Sequence, residues 1–494
     1  LQPFLSDNNS MFPVGMMESG ALDFITDRDF LCQEIMNWES SKKRKMQLAG
    51  KNYYRGRQDI LKKERMAIGR FGHRQPVKNL PNTKIIDNQY AKMVNQKVNY
   101  LLGKPFTIMT ENNTYSALLK TVLGASFQRQ LRQIGADALN GGTAWLMPYY
   151  DQLGNFRLRR FEPHTILPFW ADEEHTILDA AVHMYGIMTY TSKRISEVIK
   201  HVEAYTNTGI YYFTYQHGIL IPEKPAYRPY AIDENGNALI WNKVPLIAWK
   251  YNSDEIPLIR KVKSLQDGIN YMESAFADRM LEDPRNSIMV LVNYAGQDLG
   301  EFRENLATYG AVSVVNEKEE PGGDLKSISV EVNAENYTAI LKIFKMALIE
   351  NAGGYDAKDD RLANNPNEMN IQSMYSDIDL DANAMETEFQ AALEELRWYI
   401  DAHFANTGQG DFSNVPVTFT FNRSMMANNG DLITQCKDSM GIVSDRTILA
   451  HHPFVDNVDK ELAELKQQKQ EDMQMYGDGT FSQHDNNGQE EMQK

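Results

Sequence analysis

Between Pro257 and Phe404 the apolar positions fall into three helical stretches separated by two segments of different texture. Leu258, Val262, Leu265, Ile269, Met272 and Phe276 recur at alternating steps of four and three, one apolar stripe on a helix that Asp283-Pro284 ends. A small β-rich insert is predicted next, with Ile288 to Val292, Ala311 to Val315, and the alternating run Leu325 to Val332 after the turn Pro321-Gly322-Gly323. From Asn333, suited to cap a helix, Tyr337, Ile340, Leu341, Phe344 and Leu348 predict a second helix that stops near Gly353-Gly354. Tyr355 to Asn367 then carries Asp356, Lys358, Asp359, Asp360 and Arg361 with no large aliphatic run. A mobile, solvated loop is expected there, with Gly353-Gly354 as its hinge. Beyond it Ile371, Met374, Tyr375, Ile378, Met385, Phe389, Leu396, Ile400 and Phe404 trace a third helix of about 35 residues, about 50 Å at 1.5 Å per residue. Taken alone, the order is compatible with a helical hairpin carrying a β insertion inside an ordinary globular domain.

The flanking sequence reads differently. Residues 1 to about 25 show little periodicity and are expected to fray. A helix is predicted from Thr26 or Asp27 towards Leu48, its polar side ending in Lys42-Lys43-Arg44-Lys45, a run read as a solvated helix end rather than a phosphate site. Another helix, with Ile60 and Leu61, follows Tyr53-Tyr54 and Gly56. A third is predicted from Asn82 along Tyr90, Met93, Val94, Lys97, Val98, Leu101 and Leu102, stopped by Gly103 and Pro105. From about 140 to 255 the pattern is that of antiparallel strands. Ala144–Met147 and Phe156–Phe161 flank the turn Asp151–Gly154, Ile210–Tyr215 meets Ile219–Ile221 across His217-Gly218, Asp233–Asn237 forms a third hairpin tip, and Ser192–His201 is read as an interrupting helix. After Phe404 come one strand, Val417–Phe421, two short helices, and from about Gln467 a polar tail expected to be disordered.

Composition narrows the function classes. The 494 residues are 42% hydrophobic and 24% charged, a globular balance with room for more than one core. Asp plus Glu number 66 and Lys plus Arg 51, a formal net charge of −15, so the chain is no coat for nucleic acid and any DNA contact must be local. No apolar run approaches the roughly 18 residues of a membrane span, no membrane partner is expected, and Leu1–Ser10 lacks the basic start and apolar core of a signal peptide. Cys32 and Cys436 are read as free thiols in a reducing compartment, and the 24 methionines as adaptable packing.

No catalytic residues, metal ligands or cofactor site emerge. Gly103-Lys104 is followed by Pro105, and Gly323–Ser327 lacks a glycine next to its lysine, so no ATPase phosphate loop is present. His164, His175 and His183 lie near Glu173 and Glu174 without a His-Glu-x-x-His spacing. Asp377, Asp379, Asp381, Asn383 and Glu388 occupy positions of a calcium loop, but Ala382 stands where that loop needs glycine, and the segment reads as an acidic helix face.

Short ordered stretches carry a resemblance. They are Tyr53-Tyr54-x-Gly56, then Asn82-x-Lys84-Ile85 running to Tyr100–Pro105, Gly141-Gly142-x-Ala144-Trp145, Pro163-x-x-Ile166-x-Pro168, Val244–Ile247, Phe419-x-Phe421-Asn422-Arg423, Ser444-x-x-Thr447–Leu449, Pro453-x-Val455-Asp456 and Glu461-Leu462. With these, over about residues 50 to 465, the chain resembles the portal proteins of tailed bacteriophages, in particular the SPP1-like Bacillus siphophage family. One departure is Asn370–Met374, where related chains often carry a glycine, so the resemblance does not place a bend in the third helix.

The resemblance implies an α+β portal fold: a flexible N-terminus (1–25), an α/β wing (26–255 and 369–423), stem helices (256–284 and 333–352), a small β-rich clip (285–332), a charged tunnel loop (353–368), an α-helical crown (424–466) and the tail. It implies a dodecameric ring at one capsid vertex of the virion, assembled in the host cytoplasm. Double-stranded DNA passes through this ring, and it docks the large terminase motor, then head-completion or adaptor proteins, beside capsid and scaffold proteins. Asp356, Lys358, Asp359, Asp360 and Arg361 would face the channel. Glu301, Arg303 and Glu304, in a short helix to Thr308, and the turn Glu317-Lys318-Glu319-Glu320 would be exposed clip surfaces for partners. Leu258, Val262, Leu265, Ile269, Met272 and Phe276 would pack the stem. Narrow stripes near a 3.5-residue repeat suit neighbours in a ring, and an acidic wall lets DNA slide where a basic one holds it. A packaging-associated enzyme and a different ring of the head-to-tail interface remain as alternative readings.

Overall fold

A computed structural model of the chain describes residues 27–68, 74–76, 80–190, 196–232, 236–281, 288–292, 324–328, 334–356, 368–423, 429–452, 454, 455, 458 and 461–468. It separates into two units, residues 1–356 with 376–424, and residues 357–375 with 425–494. The expected fraying N-terminus, the Asn333 cap and the tail beyond 468 lie outside the described residues.

The helix expected from Asp27 to Leu48 is two helices, α1 (Arg28–Ser40) and α2 (Lys42–Tyr54). Asp27 caps the first by accepting from the N–H groups of Asp29 and Phe30. Ser41 divides them: its backbone is extended, its N–H closes α1 on the Trp38 carbonyl, and its hydroxyl caps α2 at the Arg44 N–H. Around Ile60 the chain makes only a 3₁₀ turn, Asp59–Lys62. Strands β1 (Met66–Ile68) and β2 (Arg74–Pro76) pair antiparallel. The next helix, α3 (Gln89–Leu102), starts later than Asn82, with Asn88 accepting from the Ala91 N–H as its cap. β3 (Thr107–Met109), α4 (Asn113–Val122) and α5 (Ala125–Gly141) follow.

The strand region runs β4 (Thr143–Tyr150), β5 (Phe156–Phe161), β6 (Ile166–Trp170), β7 (Leu178–Tyr190), β8 (Ser196–Tyr205), β9 (Gly209–Gln216), β10 (Ile219–Pro229), β11 (Ala231–Ile232), β12 (Ala238–Leu239) and β13 (Ile247–Lys250). The meander β10-β9-β8-β7-β6 is one five-stranded antiparallel sheet, and β13-β4-β5 is a three-stranded one. The predicted helix Ser192–His201 is not there: from Ser196 the chain is β8, paired with β7 from Tyr190↔Ser196 to Ala181↔Tyr205. Val198 and Val202 are spaced both as a helical turn and as alternate strand positions, and pairing along β7 decides between the two. One face of the five-stranded sheet buries Val182, Val202, Phe213 and Leu220 under Leu31, Ile35 and Trp38 of α1. On the other face Ala181 and Tyr205 join Trp145, Met147 and Phe161 of the three-stranded sheet.

After β13 come α6 (Ile259–Leu281), the antiparallel pair β14 (Ile288–Val292) and β15 (Asp324–Ile328), and α7 (Ala334–Asn351). The remainder of the insert, including Ala311–Val315, lies outside the described residues. The long third helix is α8 (Glu368–Asn406), 39 residues. It buries Ile378, Met385, Phe389, Leu396, Ile400 and Phe404, with Phe389 edge-on to Trp249 of β13 at 5.1 Å. β16 (Thr418–Thr420) pairs with β3. In the second unit α9 (Asn429–Asp438) and α10 (Asp445–His451) are the two short helices expected near the C-terminus.

Candidate functional site

The apolar stripe of α6 is packed within the chain. Leu258, Val262 and Ile269 are buried. Leu265, Met272 and Phe276 are half-buried. The Phe276 ring lies 4.5 Å from that of Tyr337 in α7, and Phe344 of α7 crosses Gly268 so closely that a Cβ there would sit 3.0 Å from the ring.

A second face of α6 is buried deeper still, and it is polar. Gln266, Asn270, Ser274 and Asp278 recur every four residues and are all 0% exposed. They accept in turn from the backbone N–H groups of Tyr90 (2.9 Å), Asp87 (3.0 Å), Ile85 (2.9 Å) and Thr83 (2.6 Å). Gln266 also donates to the Asp87 carbonyl. Four helical residues rise about 6 Å, close to the span of about 6.6 Å for two residues of extended chain, so Asn270, Ser274 and Asp278 meet alternate N–H groups of the segment laid along the helix, and Gln266 reaches on to Tyr90 in the first turn of α3. Three of these amides, of Thr83, Ile85 and Asp87, are thus taken by α6 before α3 begins at Gln89, and the fourth, of Tyr90, lies in its first turn. The sequence signal was the four-residue recurrence itself, which resembles a solvent face. Asp278 is neutralised by Lys63 (2.6 Å) and, more distantly, Arg65 (3.5 Å). Burial alone would raise its pKa, but the Lys63 ammonium and the Thr83 N–H hold it below the ordinary carboxylate value.

The exit from α7 is the other defined feature. Gly354 N–H bonds to the Ile349 carbonyl and Gly353 N–H to that of Glu350, with Gly353 at φ +59°, which is a Schellman cap. The two glycines form the helix terminus, so the expected hinge falls at this cap. Gln96 of α3 donates to the Tyr355 carbonyl (2.8 Å) and accepts from the Tyr355 N–H (3.1 Å). Lys97, next to it, is 4% exposed and donates to the Gly353 carbonyl (2.8 Å) and to Asp381 of α8 (2.7 Å). Burial lowers the Lys97 pKa, and Asp381 pulls it back. The Tyr251 hydroxyl donates to the same carboxylate, and Lys261 of α6 stands 3.8 Å from it. A groove of about 520 Å³ opens beside this point, lined by Lys92, Asn95, Gln96, Asn99, Tyr100 and Tyr355. Of the charged-loop residues Asp356 is described; Lys358, Asp359, Asp360 and Arg361 lie outside the described residues, as do Glu301, Arg303, Glu304, Glu317, Lys318, Glu319 and Glu320.

The acidic face once compared with a calcium loop is helical and already engaged. Asp379 accepts from the Tyr100 hydroxyl (2.8 Å) and pairs with Arg423, whose guanidinium also holds Asn383 and, at 2.7 Å, Glu386. Among the described residues no cluster of three metal-binding side chains forms. His175 and His183 pair instead with Glu255 (2.9 Å) and Glu203 (3.2 Å). In the basic run Lys43 pairs with Glu255, and Arg44 donates to the carbonyls of His164 and Glu39, while Lys42 and Lys45 are exposed. Several of the short stretches quoted above have a steric reason. Phe106 sits between Phe419 and Phe421 at 6.0 and 5.9 Å, and Asn422 donates to the Pro105 carbonyl.

Residues 37–475 match the family described as phage portal protein, SPP1 Gp6-like. The portal protein of Bacillus phage SPP1 is 25% identical over 439 residues, 87% of this chain and 85% of that protein. That of Clostridium phage phiCD119 is 26% identical over 429 residues, 84% of this chain and 90% of that protein. Among solved structures, a chain from the neck of a native GTA particle computed with C12 symmetry overlaps with a TM-score of 0.36 at 10% identity, covering 73% of this chain and 88% of that one.

Proposed function

The chain belongs to the SPP1 Gp6-like family of phage portal proteins, which form a ring at the head-to-tail interface of the virion, and on that premise we propose that twelve copies close around a channel for double-stranded DNA. The observation that carries this is the extent of the family match, residues 37–475, which takes in α6, the insert, α7, the charged segment and α8. The genome enters through the channel during packaging and leaves through it at ejection. With no phosphate-cradling ATPase loop in its sequence, this chain does not drive the DNA itself. A separate terminase motor docks on the ring, and head-completion or adaptor proteins take its place afterwards. Assembly occurs in the host cytoplasm, among capsid and scaffold proteins.

Within this reading α6 and α7 are the stem. Residues 355–367 are the tunnel loop, with Asp356, Lys358, Asp359, Asp360 and Arg361 facing DNA. Glu301, Arg303, Glu304 and Glu317–Glu320 belong to the clip surface that partners meet. The net charge of −15 per copy suits a conduit, because contacts to phosphate are then few, local and brief. Single-particle electron microscopy of the purified full chain tests the assembly: closed twelvefold rings with an open axis are expected. A chain that stays monomeric at micromolar concentration across low and high salt overturns it.

A further inference from the structure

We propose that Gln96 and Lys97 are positioning residues of the channel, holding the root of the charged loop, residues 353–355, at one fixed place against α3 and α8. The inference rests on the reading of residues 355–367 as the tunnel loop and adds what sets its starting point.

The contact is closer than chance packing requires. A Cβ on Gly354 would lie 2.7 Å from Met93 Sδ and 2.9 Å from Gln96 Oε1, so the backbone leaves α7 pressed onto α3. The Gln96 amide then pairs with both backbone polar groups of Tyr355, donating to its carbonyl and accepting from its N–H, in the manner of a strand pair. A glutamine serving only as surface has no need to saturate one residue's backbone.

Lys97 makes the second tether. With 3% of its side chain exposed, its ammonium requires compensation, and Asp381 supplies the charge. A simple ion pair joining α3 to α8 would end there. Lys97 instead spends a further donor on the Gly353 carbonyl, which brings the end of α7 into the same cluster. Lys261, near the start of α6, faces the other oxygen of Asp381. Both helices that flank the insert thus reach one carboxylate of α8, α6 through Lys261 and α7 through Lys97. A displacement of the end of α7 along α8 has to break a Lys97 hydrogen bond, while α6 is linked here by the longer, part-exposed Lys261 pair.

The test uses rings of the full-length chain and phage carrying the same variants. In the rings, hydrogen exchange over residues 353–355 is measured for Gln96→Ala, Gln96→Glu and Lys97→Met. Removing the acceptor for the Tyr355 N–H in Gln96→Ala is expected to speed its exchange about tenfold, and Gln96→Glu, which keeps the acceptor and loses the donor, to fall between. Rings still form, while DNA-filled particles drop severalfold. If Lys97→Met fails to fold, Lys97→Met/Asp381→Asn removes both charges and serves in its place. Unchanged exchange in every variant overturns the clamp. Faster exchange with normal numbers of filled particles overturns its positioning role. The exchange measurement contains no DNA, so it stands whether or not the loop contacts phosphate, and failure of the tunnel-loop reading is detected separately by substitutions at Lys358 and Arg361.

Discussion

Lys243 holds its ammonium 4.3 Å from the ring centroid of Trp398, one turn along α8 from Glu395. Burial raises the Glu395 pKa to about 7, and Lys243, stationed over the indole, lowers it only in part. A carboxyl raised in the fold stays protonated there while the unfolded chain has already ionised. Its contribution is therefore neutral below about pH 4.5 and becomes increasingly unfavourable as pH rises to 7. Glu395→Gln is expected to stabilise the protein at pH 8 by about 2 kcal/mol and to change nothing at pH 4. Thermal unfolding at the two pH values checks this, and an equal shift at both removes the titration from the explanation.

The ladder between α6 and residues 83–90 makes a second expectation. Asp278→Ala strips the Thr83 N–H of its acceptor and leaves Lys63 facing an apolar hole, so a loss of about 3–5 kcal/mol is expected. Met280, two residues along the same helix, is 67% exposed, and its replacement by alanine should stay within about 0.5 kcal/mol. Urea unfolding of both variants separates them. Similar midpoints would mean the buried polar face carries no stability.

Where the chain was legible and where it was not follows from the range of the forces involved. The apolar stripes of α6, α7 and α8 were readable because each repeats over many turns and one strong period dominates. The 266, 270, 274, 278 face was not, because polar residues every four positions are also what water would select, and their partners come from a distant part of the chain. The third helix was expected from Asn82 for the same reason: nothing local says that the amides of Thr83, Ile85 and Asp87 are taken by α6. Ser41 interrupts a helix without disturbing the apolar rhythm on either side. Lys97 was the one hint left in view, a lysine inside the stripe Tyr90, Met93, Val94, Val98, Leu101, and its buried position between Gly353 and Asp381 explains why it is there.

Gly142 supplies a prediction about the junction between the sheet and α6. It has φ +81°, and a Cβ on it would stand 1.9 Å from the Glu255 carbonyl oxygen, while its own carbonyl accepts from the Tyr251 N–H. Alanine there meets both a disfavoured backbone and a backbone clash, for an expected cost of about 3 kcal/mol or more. Gly154 has nearly the same φ, +78°, with nothing within 4 Å of its Cβ position, so Gly154→Ala should cost about 1–2 kcal/mol. Chemical unfolding of the pair isolates the steric part. Equal costs would mean the Glu255 turn yields to make room.

The last prediction concerns the charged loop itself. Lys358 and Arg361 are the cations among Asp356, Asp359 and Asp360, so replacing both by alanine changes the formal charge of these five residues from −1 to −3 in every copy of the ring. In an acidic conduit the attraction available to a phosphate must come from such local cations, and the neighbouring carboxylates keep it brief. Neither residue lies in α6, α7 or α8, so rings should assemble normally. Lys358→Ala/Arg361→Ala is expected to lower the yield of DNA-filled particles severalfold, or to let packaged DNA escape. On the proposed tunnel-loop reading the contact is electrostatic, so the difference from the wild type should be largest at low ionic strength and shrink as salt screens it. The measurement is the fraction of filled particles after packaging at two salt concentrations. Variant particles filled and stable at the wild-type level in both would reduce the segment to a connection between two helices.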